Sequence, residues 1–317
     1  MNKITERQII GTFYKALSQD DGMGWINDVS NLFQSDQASE EYAWLGMTPA
    51  MREWIGGRNA KGFRENSLTI ANKHYEATLD VLLRDLRRDK TGQIMARINE
   101  MAQRANAHWA SLLSTLILNG ASNVCYDGQY FFDTDHSEGS SGTQSNSITV
   151  DISGEPVATA GTVTRPAVAE FQMCIAQAVQ QIASIVDDQG EPMNENASAF
   201  TIMVPVDYMN VALQAVATPV QIAETQTALQ ALKSNFSLKV VPNVRLATMA
   251  DSYQFVVFRT DGAIKSFIRQ EETGVSLKVK GAGSEYEFDN DAWQFGIDTW
   301  RNVGYGYWQN ACLVTMA

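Results

Sequence analysis

With 317 residues, 44% of them apolar and 19% charged, the chain carries enough apolar surface for one large or two modest cores. Its 24 Lys+Arg against 36 Asp+Glu leave a net charge of -12, which argues against a groove built to grip nucleic-acid phosphates. No run approaches the ~20 apolar residues of a membrane-spanning helix, and Lys3, Glu6, Arg7 and Gln8 interrupt any signal-peptide core, so the expectation is a globular protein made and kept in a cytoplasm, with no membrane partner.

Residues 1–45 mix a short amphipathic pattern (Ile9, Ile10, Phe13, Tyr14, Leu17) with polar, acidic and Gly-containing stretches. This is the pattern of an arm, expected to order against a neighbouring subunit because it has little face of its own to bury. From Met51 to Leu83 the pattern changes to strand, turn, strand: Arg52 to Arg58 with Gly56-Gly57 as turn or bulge, then Ser67 to Lys73 and Tyr75 to Val81. So polar a hairpin should protrude and find its partner on another subunit.

A long helix is expected from about Thr91 to Leu118, with Ile94, Ile98, Met101, Ala105, Leu112, Leu113, Leu116 and Ile117 on one stripe and Gly120 as its stop. At 1.5 Å per residue it would span roughly 40 Å and act as a spine. Residues 137–165, rich in Ser, Thr, Gly and Asn with a short strand at Ile148 to Ile152, read as a domain crossover. An α/β stretch follows: a helix from Pro166 to about Val186, a strand at Phe200 to Val204, helices near 207–217 and 220–234, and strands at 237–246 and 253–259. The last segment alternates short strands (Ile264 to Arg269, Val275 to Val279) with Trp293, Phe295, Trp300, Tyr305, Tyr307 and Trp308, which suggests a return into the first lobe.

Few residues invite chemistry. Cys125, Cys174 and Cys312 are odd in number and far apart, and read as buried, reduced thiols. Asp133-Thr134-Asp135-His136 is the one cluster a metal could use, yet zinc would want further His or Cys and a hard cation more oxygens; a turn in which Asp and His bond backbone is the simpler reading. His74 falls in the hairpin and His108 on a helix face beside Trp109; neither has a hydrolase or zincin context. Glu271-Glu272 and Asp187-Asp188 read as solvated loop carboxylates, and Gly281-Ala282-Gly283 and Gly304-Tyr305-Gly306 as turns. The run Arg84 to Lys90, interleaved with Asp85 and Asp89, looks like a salt-bridging face at a junction between subunits. No catalytic, metal or cofactor residue is assigned, and the chain is not expected to be an enzyme.

Four blocks carry a resemblance. Met47-Thr48-Pro49-Ala50-Met51-Arg52-Glu53-Trp54-Ile55-Gly56, Tyr75-Glu76-Ala77-Thr78, the stretch Cys125-Tyr126-Asp127-Gly128-Gln129-Tyr130-Phe131-Phe132-Asp133-Thr134-Asp135-His136, and Arg301 to Gln309 resemble, in order, segments of the Mu-like phage major head subunit family. The similarity spans roughly residues 40–317. It implies an α+β chain with the Hong Kong 97-type capsid fold: N-terminal arm 1–48, E-loop hairpin 49–83, P-domain with spine helix 84–160, A-domain 161–262 and a return segment 263–317 completing both. It also implies a virion protein that self-assembles as pentamers and hexamers into an icosahedral head, with a scaffold protein or protease during assembly, portal and decoration proteins as partners, and double-stranded DNA enclosed without sequence-specific binding. Arg52, Trp54, Arg58, Lys61, Arg64, Lys73, Arg84, Arg87 and Arg88 are the expected inter-subunit contacts. Some capsids of this fold cross-link through Lys and Asn; Lys61, Asn66, Asn72 and Lys73 are read here as solvated polar residues. The competing readings are an encapsulin-like cargo shell and a metal-dependent enzyme using Asp133, Asp135 and His136.

Overall fold

The computed structural model describes residues 5–19, 23–42, 68–88, 92–155, 157, 159–217 and 236–317. The expected outbound hairpin strand and the helix near 220–234 lie outside these residues.

Helix α1 (Glu6–Leu17) starts at Thr5, whose hydroxyl accepts from Gln8 N while the Gln8 side chain accepts from Thr5 N. Contrary to the arm expectation, α1 buries its face within its own chain: Ile9 and Phe13 are fully buried against Ile98, Met101, Ala102 and Ala105 of the spine. The sequence pattern underestimated this face because Ile9, Phe13 and Ala16 already suffice for a three-turn helix with a long helix beside it. A short helix, α2 (Trp25–Val29), then feeds β1 (Ser30–Gln34).

Two strands, β2 (Ser39–Tyr42) and β3 (Leu68–Ala71), form an antiparallel ribbon, and β4 (Lys73–Leu82) follows. Short helix α3 (Leu83–Arg88) leads to the spine, α4 (Gln93–Leu118). Late in the chain, β9 (Phe267–Lys280) and β10 (Ala292–Tyr305) are two 14-residue strands of one antiparallel hairpin, where the sequence suggested shorter pieces. The first sheet has the order β1-β9-β10-β4, with β1 parallel to β9. Thus β4 finds its partner in β10 and β3 in β2, both within the chain, correcting the expectation of an inter-subunit partner for this half of the hairpin. Glu271 and Glu272 lie in β9 and Gly304 in β10, so they are strand residues; solvent on one side of the strand tolerates the carboxylates.

The second sheet has the order β5-β11-β8-β6-β7, built from β5 (Ser147–Val150), β6 (Ala199–Val204), β7 (Ser237–Pro242), β8 (Gln254–Arg259) and β11 (Ala311–Met316). Its central strands are buried on both faces, which explains their near-continuous apolar text. Phe200, Ile202, Phe255, Val257, Cys312 and Val314 pack under α5 (Val168–Ser184) and α6 (Met209–Ala217). The alternate residues Met203, Val256, Phe258 and Leu313 face the other way, onto Ala110, Leu113 and Ile117 of α4. Between β7 and β8 the chain makes a short helix, α7 (Ala247–Asp251), with Leu246 and Met249 buried, where the sequence suggested an extended strand to 246.

The spine is the shared element. Its first half (Ile94, Ile98, Met101, Ala105) packs on the first sheet and its second half on the second, along roughly 39 Å for 26 residues. Gly120 follows it as expected, for a different reason: its φ is not left-handed, but a Cβ there would meet the Phe132 ring at 2.5 Å.

Candidate functional site: assembly surfaces and a buried loop

Of the expected contact residues, Arg52, Trp54, Arg58, Lys61 and Arg64 lie outside the described residues. Lys73 is exposed at the start of β4, in register with Arg301 of β10. Arg84, Arg87 and Arg88 are exposed on α3, whose Leu83 and Leu86 are its buried anchors. Arg84 makes only a loose pair with Asp85 at 3.6 Å, both side chains more than half exposed, so little stability comes from it. Asn72 departs from the solvated reading: its amide donates to Ser35 Oγ and Gln37 O, and its oxygen accepts from Gln270. Buried Gln270 also donates to Ile70 O and accepts from Tyr42 OH, which fastens the β2–β3 ribbon to the first sheet.

The stretch Cys125–His136 is a loop folded around Asp127. Gly128, at φ +89°, turns the chain so that Cys125 N can donate to Gln129 O at 2.8 Å. The Asp127 carboxylate then accepts from Cys125 Sγ at 2.9 Å, Gln129 N at 3.1 Å and His136 Nδ1 at 2.6 Å. Burial alone would raise the Asp127 carboxyl; hydrogen bonds from His136 and Cys125 outweigh it and hold the carboxyl below its ordinary value. His136 is fully buried and stacks on Trp308 at 3.8 Å between centroids.

That stack joins two of the four resembling blocks, and polar side chains reinforce it. Gln309 donates to Tyr126 OH at 2.7 Å, while Asn146 donates to the carbonyls of Phe131 and Trp308. Asn194 donates to Ile182 O and Gln309 O, and Arg259 reaches Asn194, Asn196 and Asp261. A buried polar network of this kind fixes one arrangement of the joint between the two sheets.

The metal cluster suggested by sequence is not assembled. His136 turns inward, Asp133 accepts from Thr134 N and Tyr130 N, and Asp135 shares a hydrogen bond with Asp133 that raises its carboxyl. A different trio comes together: Cys125, Asp127 and His136 offer ligand atoms within 4.8 Å of one another. Their hydrogen bonds satisfy Asp127 without an ion, and burial, then Asp127, pushes the Cys125 thiol far up, so the thiolate a metal would need is disfavoured. Cys174 and Cys312 are buried and reduced as expected, the Cys174 thiol pushed up to about 12.

Two buried arginines, neither among the expected contact residues, sit between spine and sheet. Arg301 lies over the Trp109 ring at 4.7 Å and Arg269 at 5.6 Å; Arg301 donates to Ala105 O and Arg269 to Asn27 Oδ1. Burial, then Arg301 and Arg245, lowers His108 to about 4, so it is neutral near pH 7. A cavity of about 200 Å³ opens beside them, with Tyr75, Met101, Ala105, His108 and Ile297 as walls.

A spine helix running under a four-stranded sheet, an α/β lobe around a second sheet and a hairpin rooted on the first define the Hong Kong 97-type capsid fold. The procapsid of bacteriophage JBD30 aligns with a TM-score of 0.56 and 22% identity, over 98% of this chain and 76% of that one. Residues 6–159 and 227–316 match the family described as Mu-like prophage major head subunit gpT, and the chain belongs to that family. The Mu-like prophage FluMu major head subunit of Haemophilus influenzae is 34% identical over 123 residues, 38% of this chain and 40% of its own length. The major capsid protein of Escherichia phage Mu is 32% identical over 117 residues, 37% of this chain and 38% of its own. The matched segment therefore spans about two fifths of the length of these curated relatives.

Proposed function

We propose that this chain is a major capsid protein that self-assembles, as pentamers and hexamers, into the icosahedral head of a Mu-like phage and encloses double-stranded DNA without reading its sequence. The observation that carries this is a family match across the first sheet, the spine and four of the five strands of the second sheet in a chain with the capsid fold. The role is structural: the described residues build joints and surfaces, and the Asp127 carboxylate is satisfied by Cys125, Gln129 and His136. The domain division follows the same reading, with an N-terminal segment at 1–48 whose first helix packs on its own spine, an E-loop at 49–83, a P-domain at 84–160, an A-domain at 161–262 and a return at 263–317. Assembly takes place in the bacterial host with a scaffold protein or protease, and the finished virion adds portal and decoration proteins. Many individually weak contacts per subunit hold such a shell by multivalency, and the net charge of -12 keeps its wall from adhering to the packed polyanion.

Negative-stain electron microscopy with light scattering on the expressed protein tests this. Closed shells, or rings of five and six, are expected. A strictly monodisperse monomer or dimer at high concentration, with its own scaffold supplied, would overturn the reading.

A further inference from the structure

Between the spine and the first sheet lies a cavity whose walls and whose polar groups do not match. Met101, Ala105 and His108 reach it from the spine, Ile297 and Arg301 from β10, and Val275 from β9. On β4, Tyr75 and Ala77 share the spine-facing side of the strand, and Ala77 is exposed where the cavity meets solvent. Glu76 and Asp298 alternate with these residues and turn to the other face of the sheet, where Asp298 accepts from Lys278 Nζ at 2.6 Å and Glu76 from Thr78 Oγ1 at 2.9 Å. The volume, about 200 Å³, holds a compact organic molecule of roughly six or seven carbons.

Against these apolar walls stand polar atoms with nothing to bond. Arg301 is 2% exposed, donates once, to Ala105 O at 3.0 Å, and its Nε has no hydrogen-bond partner among the described residues. His108 Nδ1 is buried and equally without one, its ring edge-on to Tyr75 at 4.4 Å between centroids. Arg269 shares the Trp109 ring with Arg301, so two positive charges lie side by side, and among the described residues no ion pair reaches either. Burial lowers Arg301 to about 10, with Glu271 and Tyr75 acting against it, so the guanidinium is still charged at neutral pH. A buried cation short of an anion, with a donor short of an acceptor, carries a cost that an incoming carboxylate offsets.

We propose that this cavity is a binding site for a small monocarboxylate with an apolar body of roughly six carbons, its carboxylate accepting from the Arg301 guanidinium and its carbons lying on Met101, Ala105, Val275 and Ile297. Charge selects the head group, and the walls select the rest of the ligand. A phosphate or a sugar would leave its remaining polar atoms against apolar side chains, and a plain hydrocarbon would leave Arg301 as it stands. The site lies within one subunit and does not depend on the shell-forming reading.

Isothermal titration calorimetry of the full chain with hexanoate, hexanol and hexylammonium, probes of one length and three head groups, tests this. Hexanoate should bind once per chain with a Kd on the order of 1 mM or tighter, at least ~10-fold tighter than hexanol, and hexylammonium should give no binding heat. Ala77→Leu narrows the mouth from an exposed position, so it should leave the melting midpoint of the free chain unchanged and weaken hexanoate at least ~10-fold. Arg301→Met keeps the length of the side chain without its charge and should bring hexanoate and hexanol to within ~2-fold of each other. No heat from any probe in wild type, equal affinities of wild type for hexanoate and hexanol, or wild-type affinity for hexanoate in Ala77→Leu overturns the site. The head-group comparison and Ala77→Leu decide the matter even where Arg301→Met does not fold.

Discussion

His136 Nδ1 lies 2.6 Å from Asp127 Oδ2 with both side chains out of solvent, and the imidazole is stacked on Trp308, 172 residues further along the chain. Replacing His136 by Ala leaves a buried carboxylate short of a donor and removes the stack. It should cost about 3–5 kcal/mol, read as a fall in the denaturant midpoint. Asp135→Ala should leave that midpoint unchanged, and an equal effect of the two substitutions would contradict the inward orientation of His136.

Phe13 tests whether the first helix belongs to its own subunit. Because its ring is fully buried against the spine, Phe13→Ala should destabilise unassembled protein by about 3–5 kcal/mol. If thermal melting of the dissociated chain is indifferent to the change and only the shell weakens, α1 docks elsewhere.

His108 makes stability depend on pH. Its folded-state value is about 4 against an ordinary 6.5, so the unfolded chain takes up the proton first. The neutral-His108 contribution is complete above about pH 6.5 and is lost progressively as pH falls toward 4. After allowance for partial solvent contact it amounts to roughly 1–2 kcal/mol. From pH 7 to 4.5 wild type should lose melting temperature relative to His108→Phe; a constant difference between the two would remove His108 as the cause.

Gly120 permits the end of the spine to touch Phe132. Gly120→Ala puts a methyl group 2.5 Å from ring carbon Cδ2 and should cost about 1–3 kcal/mol. Coupled with Phe132→Leu the two costs should be less than additive, whereas strict additivity in a double-mutant cycle would mean that the contact is absent.

Much of this molecule is written locally. The spine was legible because its apolar stripe repeats at helical spacing over 26 residues, and the strands of the second sheet because burial on both faces demands continuous apolar text. The 14-residue β9 was not, since Glu271-Glu272-Thr273-Gly274 interrupts the pattern where the strand meets solvent. The loop was legible in part: Asp133 bonds backbone as expected, while His136 bonds Asp127 instead. Asp133, Asp135 and His136 are neighbours in sequence, but a backbone turn at Gly128 and a Trp far along the chain decide where His136 points. Arg269 and Arg301 lie over Trp109, a residue of the spine more than 150 positions earlier, so no local pattern marks them as buried.

The order of strands in the second sheet has a kinetic consequence. Because β11 is inserted between β5 and β8, β5 has no partner in the sheet and β8 has only β6 until residues 311–316 have been synthesised. At ~5–20 residues per second, the ribosome needs roughly 8–33 s to travel from β5 to β11. Throughout that interval β5 is unpaired, and once residues 254–259 are made β8 adds a second open edge, a state in which the nascent chain needs protection. Translation thereby imposes a delay, so that the second sheet closes only after residues 311–316 have been made.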